Sequence, residues 1–119
     1  MAVFSTGPIE NSPVLGIRPT QMLTVKIVNR DSVNSYNLLI QGFILGTSRT
    51  MYVNEMVTIL PNEVLTKNYF ADLNAIEFEF ATTEEVEAEV GISIWGKQST
   101  GQLVDSHRVV MWEKHVITL

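Results

Sequence analysis

From Gln21 onward, apolar and polar side chains alternate with a period of two. The segment "MLTVKIV" sets Leu23, Val25 and Ile27 against Thr24 and Lys26. In "AIEFEF", Ile76, Phe78 and Phe80 share one face and Glu77 and Glu79 the other. "VEAEVGISIW" sustains the pattern, with Val86, Ala88, Val90, Ile92 and Ile94 opposite Glu87, Glu89, Gly91, Ser93 and Trp95. This alternation predicts antiparallel strands with one buried face. Turn-forming residues separate the runs at 29–35, 45–49, 60–63, 71–75 and 97–102. The last of these predicts a hairpin joining "GISIWG" to "LVDSHRVVMW", with Gly101 at a positive φ. "TTEEVEAEV" begins like a capped helix, but its strict alternation favours a strand. The expected fold is all-β: a single antiparallel β-sandwich of about eight strands over 21–119, jelly-roll-like. Residues 1–20 stand before it as an extended connector arm.

Composition narrows the class. A chain of 119 residues with 45% hydrophobic and 18% charged side chains is one folded domain. Its net charge of −5 offers no basic footprint for nucleic acid. The chain has no cysteine, which removes disulfides, thiol catalysis and thiolate metal sites. The sequence shows no signal peptide and no apolar run of the ~20 residues that span a bilayer.

The candidate catalytic groups do not assemble into a site. Asp105, Ser106 and His107 are the residue types of a hydrolase triad, but on a strand Ser106 faces away from the other two. His107 and His115 are the only histidines, and no third zinc ligand accompanies them. Glu77, Glu79, Glu84, Glu85, Glu87 and Glu89 alternate along strands, a pattern expected to line a solvated face rather than converge on calcium. No phosphate-binding loop, dinucleotide fingerprint or nucleophile elbow is present. The expectation is therefore a protein that is not an enzyme, with no metal and no cofactor. Trp95 and Trp112 are candidate surface contacts, and with Tyr36, Tyr52 and Tyr69 they raise the alternative of a binding module for carbohydrate or protein.

The N-terminal twenty residues carry Pro8, Pro13 and Pro19, which forbid a helix, together with Val3, Phe4, Ile9, Val14, Leu15 and Ile17. Extended, such an arm reaches ~65 Å, well beyond a domain roughly 35 Å across. "AVFST" is strand-sized and "VLGI" is a second apolar piece. Burying three such side chains yields roughly 5–9 kcal/mol at ~1.5–3 kcal/mol each. Association itself costs about 4–15 kcal/mol, so contacts between domains must share in holding an assembly. An arm given to one neighbour and received from another makes rings or filaments. The competing expectation is an arm that frays or folds back as an edge strand.

The closing hairpin "GISIWGKQSTGQLVDSHRVV", the opening strand "LTVKIVNR" and the Pro/Gly arm together resemble the endospore appendage fibre subunits of Bacillus-type bacteria. The resemblance implies jelly-roll subunits that stack into pilus-like fibres, with an extended N-terminal connector docking into neighbours. It places the connector role on the arm, at Val3, Phe4, Ile9, Val14 and Leu15. The better-known members cross-link through connector cysteines, and this chain has none, so its fibre would be held by non-covalent strand addition. The implied partners are copies of the same chain and an anchor or tip protein, with no nucleic acid and no membrane. The implied location is a spore or cell surface.

Overall fold

The computed structural model describes residues 2–82, 89–107 and 110–111. Among them there is no helix, and ten strands follow one another along the chain: β1 (Ala2–Ser5), β2 (Ile9–Glu10), β3 (Met22–Asn29), β4 (Tyr36–Leu45), β5 (Arg49–Ile59), β6 (Val64–Phe70), β7 (Ala75–Thr82), β8 (Val90–Lys97), β9 (Leu103–His107) and β10 (Val110–Met111). They form two antiparallel sheets packed as a sandwich. The first runs β10-β1-β7-β4-β5, with β2 continuing along β7, and the second runs β6-β3-β8-β9. The molecule is a slab of 48 × 41 × 20 Å, as thick as two sheets facing each other at ~10 Å with their outer side chains.

The alternation read in the sequence places the core. Leu23, Val25 and Ile27 from β3 meet Leu38 and Ile40 from β4 and Ile76, Phe78 and Phe80 from β7, all fully buried. Between them the sandwich closes without gaps at one specialised position. Gly42 lies directly across from Phe78, and a Cβ on it would stand 2.7 Å from the Phe78 ring. The far edge of the ring therefore packs against the β4 backbone at Gly42, and any larger residue there would displace it. The turn after β8 also has the expected form, with Gly101 at φ 94° and its amide bonded to the Gln98 carbonyl.

Two buried asparagines hold the ends of the sandwich. Asn29 is fully buried and its amide donates to the carbonyls of Asn34, Ile59 and Leu60, while its oxygen accepts from the Asp31 amide. Asn11 does the same at the other end, donating to the carbonyls of Thr20, Ala71 and Leu73 and accepting from the Thr20 amide. Each satisfies several loop carbonyls that would otherwise be buried without a partner.

The N-terminal segment does not stand apart from the sandwich in this subunit. β1 lies between β7 and β10, with Val3 opposite Ala81 and Phe4 opposite both Phe80 and Met111. Val3, Phe4 and Ile9 are buried, Phe4 and Ile9 as part of the core. The physical reason is pairing: without β1, one side of β7 would present unpaired amides and carbonyls beside an open core. Only residues 12–19 stand out as a loop, pinned at its two ends by the Asn11–Thr20 bonds.

Candidate functional site

The described strands leave one side of the sandwich open. β5 pairs only with β4, and β6 only with β3, so an 11-residue and a 7-residue edge lie side by side. Side chains stitch these two edges together across the sheets. Tyr69 donates from Oη to Glu55 at 2.6 Å, Lys67 pairs with the same carboxylate at 3.0 Å, and Tyr52 donates to the Phe70 carbonyl. The two tyrosine rings in turn pack against Phe78, at 5.2 and 6.0 Å between centroids. Burial, reinforced by Glu55, pushes the Tyr69 phenol far above its ordinary value, and burial pushes Tyr52 up to about 12. The bond from Tyr69, followed by that from Lys67, holds Glu55 below its ordinary value. Both phenols are therefore protonated donors over the physiological range.

The stitching fixes the wall between the sheets and leaves large apolar side chains exposed along the edges among polar ones. Met56 on β5 is 57% exposed and Phe70 on β6 is 61% exposed, with Met51, Leu60 and Val64 exposed beside them. Long edges with apolar side chains are templates for pairing with another chain.

The arm residues divide into two groups. Val3, Phe4 and Ile9 are inside the subunit, whereas Val14 and Leu15 face outward. Val14 and Ile17 bridge each other across a two-residue turn, with amide–carbonyl distances of 2.8 and 3.1 Å. Both central residues have positive φ, 53° at Leu15 and 80° at Gly16, the conformation of a type I′ turn. Leu15 is 98% exposed at its tip. Sequence reading treats "VLGI" as an extended piece and misses this turn, because the usual Asn-Gly signal is replaced by Leu-Gly.

Glu77 and Glu79 do not form part of an idle solvated row. Arg49 bonds to both, at 2.9 and 2.8 Å, and lays its guanidinium over the Phe43 ring at 3.4 Å. The clamp closes over an aromatic side chain that would otherwise be exposed on the outer face of the first sheet. Glu84, Glu85 and Glu87 lie outside the described residues, as do Trp112 and His115. Asp105, Ser106 and His107 fall consecutively on β9. No group of three or more histidine, cysteine, aspartate or glutamate side chains that could hold a metal occurs among the described residues. Trp95 stands on the outer face of the second sheet, 37% exposed, with its indole N–H bonded to Ser93 Oγ at 3.2 Å.

Comparison of the chain with protein-family models, with curated proteins and with solved structures returned no match.

Proposed function

We propose that this protein is a self-assembling structural subunit of a fibre or pilus-like appendage, joined head-to-tail. The observation that carries this reading is the open β5–β6 side, two long neighbouring edges bearing exposed Met56 and Phe70. The opposite side of the slab carries β9 in one sheet and β10 in the other, so the two sides present different strands. Two different sides meeting give a heterologous contact, which propagates into a ring or a filament.

The arm contributes by exchange. In the isolated subunit residues 2–10 fill the slot between β7 and β10. In the assembly the same strands of one copy fill the same slot of the next, released at the loop 12–19. The contacts are identical in both arrangements, so exchange needs only the free energy of the additional edge contacts. This agrees with the earlier estimate that an arm alone is a marginal anchor. A place on a spore or cell surface, and an anchor or tip partner, belong to the same proposal through the family resemblance.

Negative-stain electron microscopy of the purified chain beside a Met56→Lys/Phe70→Lys variant tests the reading. Rings or filaments are expected from the parent chain, and separate subunits of unchanged melting temperature from the variant, because lysines on an edge oppose strand addition. Polymers that persist in the variant would show that this side is not the junction.

A further inference from the structure

The described cations fall into two sets. Arg18 pairs with Asp72, Arg49 with Glu77 and Glu79, and Lys67 with Glu55. The remaining three, Lys26, Arg30 and Lys97, have no carboxylate partner among the described residues, and all three border one surface, the outer face of β3 and β8. Strand register fixes their arrangement. Lys26 lies beside Ser93, Thr24 beside Trp95, and Met22 beside Lys97. Trp95 is thus flanked by Lys97 two residues along its own strand and by Lys26 diagonally across on β3. Lys26 and Lys97 stand about 14 Å apart along the strands at ~3.4 Å per residue. Arg30 extends the row, its guanidinium seated against Gly91 where any Cβ would collide with it at 2.5 Å.

A shallow depression of about 430 Å³ joins Lys26, Ser93, Trp95, Lys97 and Leu103, and a second of about 280 Å³ joins Lys26, Arg30, Gly91 and Ser93. No described carboxylate lines either one. Of the acids near Arg30, Asp31 is engaged with the amides of Val33 and Asn34 and with Tyr36, and Glu63 with the Leu60 amide, while Glu89 meets Arg30 through its backbone carbonyl. In a chain of net charge −5, a surface where three cations lack a carboxylate partner and Glu89 is the neighbouring described acid, at the Arg30 end, marks a place for negative charge.

We infer that this face binds an anionic oligosaccharide. The indole offers its ring to the apolar face of a sugar, and the Ser93 bond holds that ring in place. Lys26 and Lys97 reach carboxylate or sulfate groups on the sugar units either side. Ser93 and the exposed amide of Asn68, held by Thr24 at 2.6 Å, supply neutral donors and acceptors for hydroxyls. A nucleic-acid strand fits less well, because a single aromatic side chain gives few stacking sites for its bases. The inference rests on the outer face of β3 and β8 and does not depend on the assembly reading.

The test is a titration of the intact chain followed by NMR of the indole N–H signals. The probes are tetragalacturonate, a chondroitin sulfate tetrasaccharide, maltotetraose and an eight-nucleotide oligothymidylate. The expected result is saturable binding of a charged tetrasaccharide, weakened by added salt and at least tenfold tighter than that of neutral maltotetraose. Preference between the first two probes distinguishes carboxylate from sulfate recognition. Trp95→Ala and Lys26→Gln/Lys97→Gln should each weaken binding about tenfold at unchanged melting temperature, and Trp95→Phe should retain part of it. Binding unaffected by these variants, equal binding of maltotetraose, tighter binding of the oligonucleotide, or no binding of either charged sugar would each overturn the inference.

Discussion

Leu15 combines a left-handed backbone with near-complete exposure, two unfavourable properties in one residue. A leucine held in that region costs roughly 1–2 kcal/mol, whereas asparagine enters it far more readily. Leu15→Asn should therefore raise the stability of the subunit by ~0.5–1 kcal/mol, read from chemical denaturation. A loss of stability would show that the leucine side chain is held by contacts within the subunit. Phe4 shows the opposite arrangement, an arm residue that the subunit itself buries. Its apolar character was legible in the sequence, but which chain's core receives it was not, because a strand's pattern does not name its partner. Gly42 was equally silent in the sequence. Its role follows from Phe78, thirty-six positions later, lying across from it.

At the scale of elements, alternation located the strands well because each has one face in the core. β3 and β7 bury the residues that their period-two patterns select, Leu23, Val25 and Ile27 in one and Ile76, Phe78 and Phe80 in the other. The arm was harder to read, since β1 buries both Val3 and Phe4 and so shows no alternation. The 29–35 turn was legible as a turn, while its wiring was not. Asp31 accepts bonds from the amides of Val33 and Asn34 and from the side chains of Asn34 and Tyr36. The bond from Tyr36, then that from Asn34, holds the carboxyl well below its ordinary value, and Asp31 in turn pushes Tyr36 up to about 12. A folded value below the unfolded one means that Asp31 stabilises the fold fully above the unfolded value of 3.8, and that this is lost as pH falls through the lower folded value. Asp31→Asn should melt a few degrees below the parent chain at neutral pH. The difference should close as the pH falls below 3.8. A difference that stays constant into acid would show that the loop is held without the charge.

At the scale of the whole molecule, charge and edges are distributed unevenly. The carboxylates Glu55, Glu77 and Glu79 are neutralised by cations on β5 and β6, while the unpaired cations gather on the outer face of the second sheet. The long edges β5 and β6 lie on one side and β9 and β10 on the other, a difference between the two sides that suits head-to-tail joining. The period-two sequence carried the sandwich but not these surfaces, because edge position and face charge depend on which strands become neighbours.

The central claim is that the N-terminal strand passes between subunits, and the absence of cysteine makes a direct measurement available. Val3 and Ala81 are directly opposed across β1 and β7, so Val3→Cys/Ala81→Cys places one disulfide in that junction. Oxidation under assembly conditions followed by a non-reducing denaturing gel reads which chain supplies β1. Exchange predicts a ladder of covalent multimers that collapses to the single chain on reduction. A lone monomer band with the cysteines fully oxidised would show that β1 stays in its own subunit, and would contradict the account.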